Sequence, residues 1–300
     1  MLETPQSMSL EALVRTLRPH QWVKNLFVLA PLVFSKHLFN GTYALRALIA
    51  TAAFCAVSGA VYAFNDVRDV EADRQHPVKR YRPIAAGLLS ERVALIAAGA
   101  LATSALVVTG LLDWTVAVAA ACYLVVNLSY SLYLKQVAFV DVTLIAIGFL
   151  LRVLAGAFAI GVPPSPWLLA CTALLAMFLG LGKRAHELHW SIQSGKEVGH
   201  TRAALAGYSA GTLRWAIGLV GAATCIAYVL YTLDHHTVAF FGTEHLVWTA
   251  PFPALGIARF AWLAFVDVRE ESPTEAMLRD WPFLAVVATW GVAVLAIVYR

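Results

Sequence analysis

The sequence has little charge. Only 13% of its 300 residues are Asp, Glu, Lys or Arg, whereas these residues make up about 25% of an average soluble domain. At the same time, 60% of the residues are hydrophobic and the mean hydropathy is +0.71. These charged side chains are too few to cover the surface of a large soluble domain. The composition therefore argues against a soluble protein and against a separate soluble domain. It is the composition of a protein embedded in a lipid bilayer.

Cysteine is also scarce, and its positions show neither metal-ligand nor disulfide spacing. Each cysteine lies inside an apolar run, and none forms a CxxC or Cys/His pattern. This argues against a zinc site and a disulfide framework, and favours small core residues. The residues are Cys55, Cys122, Cys171 and Cys225. The first ~20 residues also lack the basic, apolar and small-residue order of a cleavable signal, so we expect the apolar segments to remain as membrane spans.

Long apolar runs fill most of the chain instead. A helix needs about 20 apolar residues to cross the hydrocarbon core, and the sequence contains about nine candidates. They run approximately over 25–39, 43–64, 93–112, 114–134, 139–161, 166–182, 210–233, 245–266 and 281–299. We therefore predict one membrane domain over residues 1–300, an all-α polytopic bundle of about nine transmembrane helices.

The basic residues predict the orientation of this bundle. With the amino terminus inside the cell, sixteen Lys and Arg residues lie on the cytoplasmic side and three, Lys36, Arg46 and Arg300, lie outside. Because Lys and Arg accumulate in cytoplasmic loops, we expect a multi-pass protein of the inner (plasma) membrane with a cytoplasmic segment over 1–24. The same orientation makes the polar loops 65–92 and 183–209 cytoplasmic, and the active site is expected there.

Three aspartates follow the second predicted span, at the point where it leaves the membrane. Asp66, Asp69 and Asp73 are three and four residues apart, a spacing that aligns them on one helix face. Such carboxylates repel unless a cation lies among them. Oxygen ligands, with Asn65 as an amide neighbour, suit Mg²⁺. Because Mg²⁺ is usually completed by substrate phosphates, the ligand expected here is a diphosphate.

The alternative is a solvated acidic helix end whose carboxylates pair with Arg68 and Arg74. We favour the metal site, because a chain so poor in charge has little reason to stack three carboxylates at a helix end. Glu71 lies off the shared face and is predicted to be solvated.

The pattern Asn65-Asp66-x-x-Asp69-x-x-x-Asp73 after an apolar helix resembles the first aspartate motif of the UbiA-type superfamily of integral-membrane prenyltransferases. Other stretches resemble one branch of it, the decaprenyl-phosphate phosphoribosyltransferases, and the likeness extends over nearly the whole chain. These stretches are Arg18–Asn25 (RPHQWVKN), Lys79–Gly87 (KRYRPIAAG), Tyr130–Lys135 (YSLYLK), Gly182–Arg184 with Glu187, and Glu275–Asp280 (EAMLRD).

One departure from the superfamily pattern is informative. Aromatic prenyltransferases of this superfamily carry a second aspartate motif after the sixth span, whereas this chain has Lys183 and Arg184 there. Both side chains bind phosphate through charge-assisted hydrogen bonds. The resemblance therefore implies Mg²⁺-dependent transfer of a 5-phosphoribosyl group from phosphoribosyl pyrophosphate to a polyprenyl (decaprenyl) phosphate, with release of diphosphate, in the synthesis of cell-envelope polysaccharide precursors.

The residues expected to carry this chemistry fall into two groups. Asp66, Asp69 and Asp73 are the predicted catalytic residues, and with Asn65 they are the predicted Mg²⁺ ligands. The candidates for holding the phosphate-bearing substrates are Lys24, Lys79, Arg80, Arg82, Tyr130, Lys135, Arg152, Lys183, Arg184 and Glu187. Arg152 is included because a charge inside a span normally faces a cavity.

Several of these assignments have plain structural alternatives. Lys183 and Glu187 are four residues apart, so they either form a helix ion pair or bind phosphate through Lys183 with Glu187 orienting it. Lys135 is equally a positive-inside anchor. There are also two alternative functions for the whole protein. One is an aromatic prenyltransferase with a prenyl diphosphate donor, which the absence of the second aspartate motif disfavours. The other is a transporter. A transporter should carry charges near the bilayer midplane, and Arg152 alone fits that description. Nucleic acid is not an expected partner, and homo-oligomerisation stays open.

Overall fold

The computed structural model describes residues 10–193, 203–266 and 272–300. Throughout these ranges the chain forms α-helices, 3-10 helices and turns, with no strand. Eight of the described helical segments are long and apolar enough to cross a membrane, with His245–Phe265, a 3-10 helix followed by an α-helix, counted as one. The predicted all-α membrane bundle is confirmed, and the estimate of about nine spans becomes eight long helices in this part of the chain.

The chain divides into two compact units. The first comprises residues up to 131 together with 151–164, and the second comprises 132–150 and 165–300. The helices that contribute to the first unit are α1 (Leu10–Leu17), α2 (Ala30–Phe34), α3 (Gly41–Arg68), α4 (Val70–Gln75), α5 (Glu91–Leu112), α6 (Trp114–Leu132) and α7 (Val140–Ala159), with 3-10 helices over Pro19–Leu29 and Lys79–Tyr81. The division passes through α7, whose carboxyl-terminal half belongs to the first unit.

The first of the nine predicted spans, over 25–39, is not a single long helix in the structure. The chain forms the 3-10 helix Pro19–Leu29, hereafter the first 3-10 segment, followed by only five residues of α2. After α2 the backbone adopts a left-handed conformation at Lys36 (φ 61°). Hydropathy measures the apolar length of a segment and not its hydrogen-bonding pattern, so the sequence did not reveal this break.

Helix α3 is the centre of the first unit. Within its most apolar stretch 56% of the residues are buried by the protein, against 17% for α5. Small side chains let neighbouring helices approach closely, and α3 is rich in alanine: Ala50 and Ala53 are buried in one cluster with Phe54, and Ala60 is buried in another. Its amino terminus is capped by Asn40, whose Oδ1 accepts hydrogen bonds from two backbone N–H groups. A central, well-packed α3 gives a rigid support to the residues at its carboxyl end.

The second unit is built around α8. Its helices, after the first half of α7, are α8 (Pro166–Gln193), α9 (Ala210–Leu233), α10 (His235–Phe241), α11 (Pro251–Phe265), α12 (Pro273–Ala276) and α13 (Trp281–Val298), with 3-10 helices over Leu134–Gln136, Ala203–Gly207 and His245–Thr249. Phe178 on α8 and Phe260 on α11 are in contact in the core, with ring centroids 5.3 Å apart and ring planes tilted by 56°. Gly182 allows this approach, because a Cβ there would lie 2.4 Å from the Phe260 ring.

Some predicted features lie outside the described residues. They include the first nine residues of the predicted cytoplasmic segment, residues 194–202 of the predicted loop 183–209, and the basic residues Lys196, Arg202 and Arg269. The beginning of that loop is corrected by the structure, because α8 continues to Gln193. The segment 183–193 is therefore helical, and Lys183, Arg184 and Glu187 lie on the last turns of a long helix. Apolar residues such as Ala185 and Leu188 continue the buried face of the helix there.

Candidate active site

The carboxylates of the aspartate motif lie at the carboxyl end of α3. The helix ends at Arg68, Asp69 caps it, and α4 begins at Val70. The backbone N–H of Asp69 donates to the Asn65 carbonyl at 2.9 Å, and that of Asp73 donates to the Asp69 carbonyl at 2.8 Å. These bonds continue the helical pattern through the junction, so the aspartates keep an approximately helical spacing. Asp66 and Asp73 are buried, while Asp69 is half-buried.

Two arginines neutralise the buried carboxylates. The Arg82 guanidinium bridges Asp66 and Asp73, with its Nη1 3.2 Å from the Asp66 Oδ1 and 2.6 Å from the Asp73 Oδ2. Arg18 also donates to the Asp66 Oδ1, and its guanidinium lies over the Tyr62 ring at 5.1 Å from the centroid. The site therefore combines two buried anions with two cations that keep about a quarter of their side-chain surface exposed.

Arg82 was among the predicted substrate-binding residues, but Arg18 was not. Arg18 lies 48 residues before Asp66, so no local spacing connects the two. One signal was available, because Arg18 begins the stretch RPHQWVKN that carried part of the family resemblance. The structure adds a second signal: Arg18 adopts a left-handed backbone conformation (φ 52°, ψ 64°), which is uncommon for a residue other than glycine.

The donor atoms around Asp66 fit a hard divalent cation. The side-chain oxygen of Asn65 is buried and has no hydrogen-bond partner among the described residues, so it is an unsatisfied oxygen donor directly before Asp66. With the aspartates it forms a set of oxygen donors only, which is the set that Mg²⁺ prefers. In the part of the chain that the structure describes, the carboxylates do not form a ready-made cluster of three metal ligands, because arginine side chains are the cationic partners of Asp66 and Asp73.

The remaining charged residues of this region are more exposed. Glu71 pairs with Arg74 at 2.5 Å, and both side chains are exposed, as expected for a residue off the shared face. Lys79 and Arg80 are exposed on a short 3-10 helix, and the Arg80 Nη2 donates to the Tyr81 hydroxyl at 2.7 Å. Arg82, two residues further on, is the residue of this stretch whose contacts with the buried carboxylates are described above.

Three further candidates of the first unit have different surroundings. Arg152 is buried on α7, where its Nε donates to the Asn25 Oδ1 at 2.8 Å and its Nη2 donates to the Tyr123 hydroxyl at 2.7 Å. The Nζ of Lys24 donates to the Gln21 Oε1 at 2.6 Å. Tyr130 is half-buried near the end of α6.

In the second unit, Arg184 is completely enclosed. Its side chain is 1% exposed, and its Nε lies 2.6 Å from the Oδ2 of Asp141, a residue of α7 that is 0% exposed. This contact is ionic, and its geometry is not that of an aligned hydrogen bond. The other end of the guanidinium donates to Glu187 on the next turn of α8. Asp141 was not predicted, because it lies 43 residues before Arg184 and no local spacing connects the two.

Tyr208 completes the surroundings of Asp141. Its hydroxyl donates to the Asp141 Oδ1 at 2.7 Å and accepts a hydrogen bond from the Phe139 backbone N–H at 2.7 Å. Burial and the neighbouring Asp141 carboxylate raise the pKa of the Tyr208 hydroxyl above its ordinary value. The hydroxyl therefore stays protonated as the donor to the Asp141 Oδ1, while the Asp141 Oδ2 has the ionic contact with Arg184.

The other basic candidates of this unit are less enclosed. Lys183 and Lys135 are both half-buried. Lys183 precedes Arg184 on α8, and Lys135 lies on the 3-10 helix Leu134–Gln136 that leads into α7. Of the two adjacent cations on α8, Lys183 is thus the one with an accessible side chain.

Comparisons with known proteins agree with this architecture. The profile of the UbiA prenyltransferase family matches residues 26–187. The decaprenyl-phosphate phosphoribosyltransferase of Mycolicibacterium smegmatis is 34% identical over 312 aligned residues, covering 97% of this chain and 94% of the relative. The protein of the same name from Mycobacterium tuberculosis H37Rv is 34% identical over 301 aligned residues, covering 97% and 96%.

Solved structures show the same fold at lower sequence identity. A UbiA homologue from Archaeoglobus fulgidus, solved with GPP and Mg²⁺, superposes with a TM-score of 0.72 at 16% identity, covering 96% of this chain and 100% of its own. The apo structure of a UbiA homologue from Aeropyrum pernix K1 superposes with a TM-score of 0.68 at 18% identity, covering 92% and 97%.

Proposed function

We propose, from the premise that this chain belongs to the UbiA prenyltransferase family, that it transfers a 5-phosphoribosyl group from phosphoribosyl pyrophosphate to a polyprenyl phosphate. The full-length relatives named for this activity support the assignment. The observation in the structure that carries it is the group of buried carboxylates and partly exposed arginines around Asp66, which combines metal-ligand chemistry with phosphate-binding chemistry. Decaprenyl phosphate is the lipid of the relatives' names, and we propose it as the acceptor here.

The diphosphate of the donor binds at the end of α3 in this proposal. Asn65, Asp66, Asp69 and Asp73 would hold Mg²⁺, which when bound supplies positive charge to the departing diphosphate. Arg18 and Arg82 have planar guanidinium groups that match phosphate oxygens as well as carboxylates. Because both side chains keep some exposure, they are able to exchange a carboxylate partner for a phosphate oxygen when the donor arrives.

The reaction joins the lipid phosphate to the sugar in one displacement. An oxygen of the polyprenyl phosphate forms a bond to C1 of the ribose, the bond from C1 to the diphosphate oxygen breaks, and diphosphate leaves with that electron pair. In this proposal the transition state has oxocarbenium character at C1 of the ribose. A phosphate monoester has a second pKa of about 6 and is already an anion near pH 7, so the proposal needs no general base.

The cationic end of α8 contributes a phosphate contact through Lys183. Arg184 has the same charge, but its guanidinium is enclosed between Asp141 and Glu187, so in this proposal it holds α8 in place and does not touch a substrate. The other basic and aromatic candidates keep their proposed role in substrate binding: Lys24, Lys79, Arg80, Tyr130 and Lys135. The proposal also keeps the cytoplasmic amino terminus and active site, which rest on the distribution of Lys and Arg.

One assay separates this function from an aromatic prenyltransferase. Purified protein with Mg²⁺ is given labelled phosphoribosyl pyrophosphate and polyprenyl phosphate in one reaction, and a prenyl diphosphate with an aromatic acid in another. We expect a labelled lipid phosphoribose and free diphosphate in the first reaction only, and none after chelation with EDTA. Product in the second reaction alone would overturn the proposal.

A further inference from the structure

The first 3-10 segment, Pro19–Leu29, lies between two anchors. At its start, Arg18 contacts Asp66 at the end of α3. Near its other end, Asn25 is buried and its side chain is fully engaged: its Oδ1 accepts from Arg152 at 2.8 Å and from Ser58 at 3.3 Å, and its Nδ2 donates to the Sγ of Cys55 at 3.3 Å. The segment is thus held to both α3 and α7.

The distances along the two elements are compatible. Arg18 and Asn25 are seven residues apart, or about 14 Å at the 3-10 rise. Their partners on α3, Asp66 and Ser58, are eight residues apart, or about 12 Å at the α-helical rise. The first 3-10 segment therefore runs alongside α3 with one anchor at each end.

Arg152 is the strongest part of the second anchor. It is a cation inside a membrane helix, where a charge is costly unless it is well solvated by the protein. Its hydrogen bonds go to the Asn25 amide and to the Tyr123 hydroxyl, and its guanidinium lies 4.7 Å from the centroid of the Tyr123 ring. One turn further along α7, Gly156 lies against the backbone of the same segment, because a Cβ there would lie 1.9 Å from the Val28 carbonyl oxygen.

We infer that Arg152 is a positioning residue, which holds the first 3-10 segment through Asn25 and thereby keeps Arg18 at the Asp66 site. This inference rests on the proposed function for its kinetic part only. A donor that binds at Asp66 draws Arg18 from a carboxylate to a phosphate, and during that exchange the contact between Arg18 and Asp66 no longer anchors the segment. The Arg152–Asn25 anchor is then what keeps Arg18 within reach.

Arg46 offers a matched control. It is also an arginine of the first unit whose partners are neutral oxygens: its Nε donates to the Ala159 carbonyl at 2.5 Å and its Nη2 donates to the Leu112 carbonyl at 2.8 Å. It lies twenty residues before Asp66 on α3, about 30 Å away along the helix. A general weakening of the bundle should follow from either substitution, whereas a displaced Arg18 should follow from the loss of Arg152 alone.

The test compares Arg152→Met, Asn25→Ala, their double variant and Arg46→Met in detergent or nanodiscs. For Arg152→Met and Asn25→Ala we expect faster hydrogen–deuterium exchange in residues 19–29. We also expect the KM for phosphoribosyl pyrophosphate to rise by about tenfold, as for the loss of one charge-assisted hydrogen bond, with kcat and the KM for the lipid little changed. The double variant should be no worse than Arg152→Met, and Arg46→Met should show neither effect.

Two results would overturn the inference. A higher KM in Arg152→Met with normal exchange over residues 19–29 would mean that Arg152 contacts the substrate directly. Additive effects in the double variant would mean that Asn25 is not its intermediary.

If Arg152→Met does not accumulate as folded protein, Tyr123→Phe, which removes one hydroxyl acceptor, is compared with Arg46→Met by the same readouts. The exchange measurement does not depend on the substrates, so a failure of the proposed reaction would be recognised separately, by wild-type protein that transfers no phosphoribose.

Discussion

Each unit of the molecule contains buried aspartate paired with arginine, but the two clusters differ in the exposure of the cation. Around Asp66 the side chains of Arg18 and Arg82 are 23% and 27% exposed, whereas beside Asp141 the side chain of Arg184 is 1% exposed. The first cluster leaves its cations open to an incoming anion. The second encloses its cation between two carboxylates, so its Arg is part of the packing. An arginine in a basic motif is therefore not necessarily a ligand-binding residue. Whether it can bind a ligand depends on how far its guanidinium is buried.

The largest effect is expected from the carboxylate at the centre of the first cluster. Asp66→Asn should reduce turnover by at least about a thousandfold, because the proposed Mg²⁺ ligand, which is also the partner of two arginines, loses its charge. Folded yield after detergent extraction should change little, since Arg18 and Arg82 are still solvated. The measurement is turnover against Mg²⁺ concentration, with Glu71→Gln on the neighbouring helix α4 as the exposed control. Equal damage from Glu71→Gln would contradict the assignment of Asp66 as the metal-binding carboxylate.

The two clusters are compared most directly by replacing one arginine of each, Arg184 and Arg82, by the same residue, methionine. Arg184→Met should destabilise the folded protein by about 3 to 5 kcal/mol, because it leaves the buried Asp141 without its cation. Arg82→Met should lower the thermal unfolding midpoint less than Arg184→Met does, because water reaches the partly exposed site of Arg82, and it should raise the KM for phosphoribosyl pyrophosphate. Thermal unfolding in detergent and steady-state kinetics on both variants test this. If Arg184→Met folded normally and lost only substrate affinity, the enclosed cluster would be a binding site and the distinction would be wrong.

Lys183 tests whether the accessible neighbour of Arg184 binds phosphate. Removal of one charge-assisted hydrogen bond typically costs about 1.5 to 3 kcal/mol, so Lys183→Ala should raise the KM for one of the two phosphate substrates by roughly 10- to 150-fold. The two substrates are varied separately, and the unfolding midpoint is the control for structure. Wild-type kinetics toward both substrates would make Lys183 a helix-end anchor only.

The smallest effect is expected from Tyr208. Tyr208→Phe removes one donor to Asp141 while Arg184 remains, so the loss of stability should be about 1 kcal/mol. Tyr133 is an exposed tyrosine, and Tyr133→Phe is the matched control, which should not shift the unfolding midpoint. A shift in Tyr208→Phe as large as that in Arg184→Met would show that the hydroxyl, and not the guanidinium, holds Asp141 in place.

Much of the fold was predictable because it depends on local composition. Eight spanning helices follow from apolar runs of about 20 residues, and the aspartates of the motif were recognised because three- and four-residue spacings are local to one helix. The first 3-10 segment was not predictable in this way. Apolar length suggested a span over 25–39, and only the packing of that segment against α3 and α7, at Asn25 and Val28, shows why a different helix forms there.

Composition and local spacing are enough to identify a membrane protein, to group its carboxylates at the end of one helix, and to show the resemblance to the UbiA superfamily. Which arginines pair with those carboxylates and which are enclosed depends on the packing of the helices. The partners Arg18 and Asp66 are 48 residues apart, and Asp141 and Arg184 are 43 apart, so each pair is created by the packing of helices. Charge is a property of the residue and is read from the sequence, whereas burial is a property of its neighbours in space.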